Sequence, residues 1–417
     1  MKTRAQHNRR RWLMAMAVCL PLQMAQAELT IPGISGVAGV AGSDGNFAPT
    51  ADVTLDLSLA KTAAWDAVSS GNGVYDPGKW AVVYKFNSVT IPNGKTLTFK
   101  NHPSGAPVVW LVTGDVIING TIQLSGENAN SQLRPTIPGP GGFAGGNGVY
   151  QNLASGGFGP GGGEGNTSDS ASHASIGSGD SPGIIYGNSR ILPLIGGSGG
   201  SGKQDIRVGI ESGGAGGGAI LIVCTKSLTI NGKVYAQGGN NQDHYYGPSG
   251  GGSGGSVRLI AESLTGAGLI ESTGRGGGGN GRIRMETLNF TGNVLTFPSV
   301  PVLTPDDPLV LWPPAAAPSI RVVSVGAKNA PTDPRGSPQT AEIDFQLDNE
   351  TSSNIVLEAK NVQSDASVKV RIVPVYGLPI TQTATFSNGT TALSTWVVNN
   401  VNLPEGAFVV QAHAVNP

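Results

Sequence analysis

Disulfides cannot hold this chain together. Of its two cysteines, Cys19 falls in a leading segment that reads as removable, which leaves Cys224 alone at the end of the apolar run Ala219–Cys224. That is the position of a small buried hydrophobe, and nothing nearby in the sequence would lower its pKa. Histidine is nearly as scarce. Beyond the leading segment His102, His173, His244 and His413 stand far apart, and neither HExxH nor CxxC occurs, so the spacings of a zinc site are missing. Only 13% of residues are charged and no basic patch marks a nucleic-acid partner. After the leading segment no apolar run is long enough to span a bilayer.

The leading segment, residues 1–27, has its own pattern. Lys2, Arg4 and Arg9 to Arg11 form a basic region, Trp12 to Leu22 a short apolar core, and Ala25-Gln26-Ala27 a small-residue cleavage site. This predicts a bacterial secretory signal cut after Ala27. Asn8 to Met14 also has the look of a twin-arginine signal, so Sec and twin-arginine export both stay open. Val18, just before Cys19, argues against a lipoprotein anchor. Cleavage removes five positive charges, leaving 21 Lys+Arg against 27 Asp+Glu and a net charge of −6. The expected location is outside the cytoplasm of a bacterium: secreted, periplasmic or on the cell surface.

What the chain has in excess is glycine. It carries 64, of which 46 lie between Gly126 and Gly281. Around and within this stretch a unit recurs, made of a strand, a glycine turn and a second strand. It appears at Ser88–Gly94 with Thr96–Phe99, Asp115–Gly120 with Thr121–Leu124, Ser227–Gly232 with Lys233–Ala236, and Ser263–Gly268 with Leu269–Ser272. The turn glycines Gly94, Gly120, Gly232 and Gly268 are offset by 26, 112 and 36 residues. An offset of 26 suits one coil of a parallel β-solenoid, and the larger ones suit coils carrying inserted loops. An antiparallel sandwich would give the same period-2 alternation.

The inserted loops contain the glycine blocks, among them Pro138–Gly146, Gly156–Gly163, Gly196–Gly200, Gly213–Gly218 and Gly250–Gly255. Composition alone suggests disorder. Position argues otherwise, because Gly213–Gly218 and Gly250–Gly255 run directly into apolar strands, where close backbone approach needs glycine. Such segments are expected to take the polyproline-II shape and pack side by side through backbone hydrogen bonds.

The expected fold class is therefore all-β. A lead-in at 28–79 has strand alternation from Val53 to Leu59 and a short helix at Lys61 to Val68. A Gly-rich β-solenoid domain follows at 80–311, with polyglycine-II-like loop layers, then a Pro/Ala linker at 312–318. Residues 319–417, with seven short strands expected, read as an immunoglobulin- or fibronectin-like β-sandwich.

Four stretches carry a resemblance. Asp115 to Ile122, Pro138 to Phe143, Gly216 to Ile222 and Gly279 to Arg284, in that order, resemble a widespread group of secreted glycine-rich bacterial proteins. The likeness spans roughly Ser43 to Ala316. It implies a β-rich exported protein and supplies no activity or catalytic residue. The glycine blocks are also similar in style to the polyglycine sandwiches of phage tail-tip adhesins.

Motifs for chemistry are thin. Gly197 to Lys203 fits GxxxxGK, but Gln204 stands where Ser or Thr should hold Mg²⁺. G-x-S-x-G occurs around Ser181, Ser198, Ser249 and Ser253 with no helix pattern after any of them. Asp306-Asp307 reads as a turn cap rather than half of a catalytic pair. No catalytic residue and no cofactor is expected, and a structural cation such as calcium stays open. Asp243, His244, Tyr245 and Tyr246, with Tyr150 and Tyr186, sit in polar glycine-flanked loops where rings can stack on sugar or anchor a partner, or else cover the glycine layer. The expected function is a non-catalytic structural or adhesive protein binding extracellular glycan or a cell-surface partner. A β-helix polysaccharide hydrolase or lyase is the alternative, and would need two converging carboxylates.

Overall fold

A computed structural model of the chain describes residues 28–417, apart from 39, 41, 132–133, 151–153, 166–167, 206–210, 243–247, 341, 348–351 and 416–417. The expected export signal lies outside the described residues. The protein is all-β, with several parallel sheets; among the described residues the one helical element is a 3-10 turn at Leu57–Leu59.

The repeated units pair with one another in parallel. In a six-stranded sheet Val53–Asp56, Thr96–Lys100, Thr121–Gln123, Lys233–Tyr235, Leu269–Glu271 and Leu295–Phe297 lie side by side in chain order. A ten-stranded sheet holds the long strands Ala81–Ile91, Ala219–Ile230, Ser256–Thr265 and Arg282–Phe290, with Val108–Val112 and Val116–Ile118 between the first two. Thr121 faces Lys233, Lys233 faces Leu269 and Leu269 faces Leu295, so partners stand 112, 36 and 26 residues apart. Side chains keep the register. Asn231 Nδ2 donates to Asn119 Oδ1 at 2.9 Å, Gln237 N–H to Ser125 Oγ at 3.1 Å and Asn240 N–H to Asn128 Oδ1 at 2.8 Å, each across 112 residues.

Between the two sheets lies the main core, where Ile91, Ile118, Ile230 and Leu264 of one sheet meet Leu97, Ile122, Val234 and Ile270 of the other. In the short strands burial alternates, as a sheet with one wet face requires. Ala219–Cys224 instead runs apolar without a break because both of its faces are covered. Ile220, Ile222 and Cys224 enter the inter-sheet core, while Ala219, Leu221 and Val223 meet Leu29, Ile31, Leu309 and Leu311 on the other side. Each fully buried valine, leucine or isoleucine here contributes about 1.5–3 kcal/mol.

The glycine blocks form an ordered, buried layer beside these sheets. Along Gly213–Gly218 the N–H groups point in three directions in rotation. Gly213 and Gly216 donate to Gly146 and Phe143, Gly214 and Gly217 to Gly250 and Ser253, and Ala215 and Gly218 to Glu127 and Leu124, at 2.7–3.0 Å. The carbonyls accept from Gly139, Gly197, Gly200 and Gly239. A direction repeating every third residue is the mark of an extended chain with three residues per turn. Close approach is what requires glycine here. A Cβ on Gly216 would fall on the backbone of Gly197, and one on Gly252 on the carbonyl of Ala215.

Two local expectations are corrected. The alternation from Val53 to Leu59 stops at Asp56, whose carboxylate accepts from the Ser58 N–H at 3.0 Å and turns the chain into the 3-10 turn. Lys61 to Val68 is not a helix; Lys61–Thr62 pairs with Val74–Tyr75, and the Trp65 N–H is taken by Asp76 Oδ2 at 2.9 Å.

Toward the C-terminus two antiparallel sheets, of five and three strands, share one core that includes Leu357, Val370, Ile372 and Trp396. Among the described residues 342–347, within the part expected to hold seven short strands, the pairing is an isolated bridge of Glu342 with Ser337. Arg371 fastens this part to the glycine layer. Its guanidinium donates to the carbonyls of Gly157 at 2.9 Å and Gly163 at 3.2 Å and pairs with Glu164 at 3.3 Å, while Val373 packs on Ala144 and Phe158.

Candidate functional site

Asp243, His244, Tyr245 and Tyr246 lie outside the described residues. Tyr150 ends the short strand Val149–Tyr150, parallel to Gln204–Asp205. Of the two readings of Tyr186, a ring open to sugar or one that covers the glycine layer, the structure has the second. Tyr186 is 5% exposed, stacked on His173 with ring centroids 4.5 Å apart, and its hydroxyl donates to Gly196 O at 2.6 Å. A phenol with one polar atom and a flat apolar body fills the side of the glycine layer and satisfies one of its carbonyls. Burial pushes the His173 imidazole down to about 4, so it is neutral near pH 7.

The motif serines follow the same logic. Ser198 and Ser253 are fully buried, with hydroxyls bonded within the layer. Asp307 Oδ1 accepts from the Ser35 N–H at 2.9 Å and Asp306 pairs with Arg190 at 2.8 Å, so the two carboxylates tie chain segments together. Cys224 is buried, and burial raises its thiol to about 12.

One surface that combines exposed or half-buried rings with polar groups is the outward face of the six-stranded sheet. Parallel register places one side chain per strand in a row: Thr54, Thr98, Gln123, Tyr235, Glu271 and Phe297. Strand alternation holds these outward, because Ile122, Val234 and Ile270 beside them point into the core. Phe297 is 51% exposed. Lys233, two residues back on the same face of its strand, sets its ammonium 5.9 Å from the Tyr235 ring centroid. Thr273 Oγ1 donates to Glu271 Oε1 at 2.9 Å, and Gln123 Oε1 accepts from the Ser125 N–H at 3.1 Å. Those bonds orient the Glu271 carboxylate and hold the Gln123 amide by its oxygen.

At Gln123 this row meets a shallow cleft of about 410 Å³, lined also by Phe99, Ser125, Glu127, Asn128 and Ile137. Burial works to raise the Glu127 carboxyl, but Arg134 and the Ile137 N–H outweigh it and hold the group below the usual carboxylate range. Arg134 bonds both of its oxygens, at 2.6 and 2.8 Å. Glu127 is thus a fixed, ionised acceptor with little freedom to exchange a proton at neutral pH.

The row lies apart from the loop tyrosines named above, although the sequence carries its signal. In Lys233-Val-Tyr235 and Leu269-Ile-Glu271 the middle residue is apolar, which sends the flanking pair outward.

Among the described residues no group of three or more His, Cys, Asp and Glu is placed to hold a metal ion, and no helix is long and apolar enough to cross a membrane. Compared with family models, curated proteins and solved structures, the chain matches none.

Proposed function

We propose that this is an exported structural protein with an adhesive, non-catalytic role at or beyond the cell surface. In this reading the repeated units wind as one β-solenoid, the inserted loops pack as a polyglycine-II lattice, and 319–417 is an immunoglobulin-like module docked on that lattice. The resemblance to secreted glycine-rich bacterial proteins supports the exported location. The outward face of the six-stranded sheet, with its cleft, holds extracellular glycan or a partner surface.

The observation that carries the reading is the registered row from Gln123 to Phe297, in which polar and aromatic side chains alternate on rigid strands. Glycoside hydrolysis needs two carboxylates converging on one bond. The cleft is lined by one, Glu127, and Arg134 and the Ile137 N–H already engage it.

The test is to incubate the protein, without residues 1–27, with a panel of insoluble polysaccharides and cell walls, scoring retention and new reducing ends together. Retention without cleavage is expected. Cleavage would replace this reading with a hydrolase or lyase, and retention on nothing in the panel would overturn it.

A further inference from the structure

The row of Gln123, Tyr235, Glu271 and Phe297 has a spacing and a chemistry of its own. Resting on the adhesive reading, we infer that it binds an extended, uncharged glycan lying across the strands, with alternate sugars stacked on Tyr235 and Phe297.

Spacing is the first argument. Neighbouring strands in a sheet lie about 4.8 Å apart, and Tyr235 and Phe297 are separated by one strand, that of Glu271. The two rings therefore stand about 9.6 Å apart along the row. In an extended chain of equatorially linked pyranoses each sugar advances by about one strand spacing, and successive units turn over. Every second sugar then presents the same apolar face to the same side. A ring on every second strand matches that repeat, and aromatic faces stack well on such apolar surfaces.

Polar chemistry is the second. Glu271 lies between the rings, where the unstacked sugar brings its hydroxyls, and Thr273 holds the carboxylate in place. Gln123 lies one strand beyond Tyr235, with its amide NH₂ free of the Ser125 bond. Charge is the third. The face beside the rings carries Lys233 and Glu271, one of each sign on adjacent strands. Such a balanced pair suits a neutral chain and gives no net attraction to a polyanion.

The experiment is calorimetric titration of the protein with a neutral β-1,4-linked hexasaccharide, the matching disaccharide and an oligogalacturonate of equal length. The hexasaccharide should bind, the disaccharide at least about tenfold more weakly, and the acidic oligomer more weakly still. Tyr235→Ala and Phe297→Ala should each cost about tenfold in affinity, whereas Tyr376→Ala, removing an exposed ring on the C-terminal part, should cost nothing. Should Tyr235→Ala fail to fold, Tyr235→Leu keeps the apolar bulk and still removes the ring.

Unchanged affinity in the ring variants, or preference for the acidic oligomer, overturns this inference and leaves the adhesive reading standing. Failure of every glycan to bind overturns the glycan reading itself. Dimers in sedimentation that dissociate on Phe297→Ala would show a second copy covering this face, which also overturns it.

Discussion

Ser198 and Ser253 hold each other through a reciprocal pair of bonds. The Ser198 N–H donates to Ser253 Oγ at 2.8 Å, and the Ser253 N–H donates to the Ser198 carbonyl at 3.0 Å. Each sits at the centre of a G-x-S-x-G, and the flanking glycines let the two backbones come this close. The motif here is a packing device, and its energetics are those of the glycine layer around it.

Gly216→Ala should therefore be far more damaging than a glycine change at an open turn. The new Cβ would strike the Gly197 backbone, which is itself bonded to Gly217 and cannot yield. A loss of more than about 4 kcal/mol, or failure to fold, is expected. Gly94→Ala meets nothing within 4 Å and carries only the strain of a φ of +70°, about 1 kcal/mol. Chemical denaturation of both variants checks the ordering.

His173 should make stability depend on pH. Its folded pKa, about 4, lies below the ordinary value of 6.5. Above pH 6.5 it is neutral folded and unfolded, and its contribution is fully present. Between 6.5 and 4 the unfolded chain takes up a proton that the folded one refuses, so stability falls with pH, by about 3 kcal/mol in total. His102, also lowered to about 4 by burial and by Arg335, acts in the same window. His173→Phe should flatten the slope of the urea midpoint between pH 7 and pH 4.5 without abolishing it. An unchanged slope would show that His173 does not titrate as its burial requires.

Arg371→Met should loosen the C-terminal sheets from the glycine layer. The variant strands the carbonyl of Gly157, leaves that of Gly163 with the Gly157 N–H as its remaining donor, and takes from Glu164 its partner. Burial works against the arginine charge, and Glu164 offsets part of that. A loss of about 3 kcal/mol is expected. Calorimetry should show one transition for the unsubstituted protein and two for the variant, with faster proteolysis of the variant in the 312–318 stretch. An unsplit transition would show that Val373 on Phe158 is sufficient.

Cys224 should resist thiol reagents in the native protein. It is fully buried with a thiol pKa of about 12, so labelling by a disulfide reagent must wait for unfolding. Labelling faster than unfolding would contradict that burial.

The repeating architecture was legible because side chains advertised it. The 112-residue offset between Gly120 and Gly232 is the offset at which Asn119 meets Asn231 and Ser125 meets the Gln237 N–H. The apolar Ile122, Val234 and Ile270 fixed which face is core. The strand pattern through Val53 to Leu59 misled because a single carboxylate, Asp56, takes the Ser58 N–H away from any ladder. For Tyr186 the sequence left two readings open, because polar neighbours in sequence do not make a polar surrounding: its hydroxyl finds Gly196 and Ser198 in a buried layer. Which glycine segment neighbours which could not be read at all. Gly213–Gly218 has almost no side chain to distinguish one partner from another, and only the connected strands set its position.

A layer held together by backbone hydrogen bonds, with little apolar side chain, has a thermal signature of its own. Unfolding Gly213–Gly218 and its neighbours exposes mostly peptide groups, and hydrating polar surface lowers heat capacity where hydrating apolar surface raises it. The glycine-rich part should therefore contribute little to the heat-capacity change per residue, and its stability curve should be broad. Such a layer stays folded on cooling, under conditions where a core of leucine and valine loses much of its driving force.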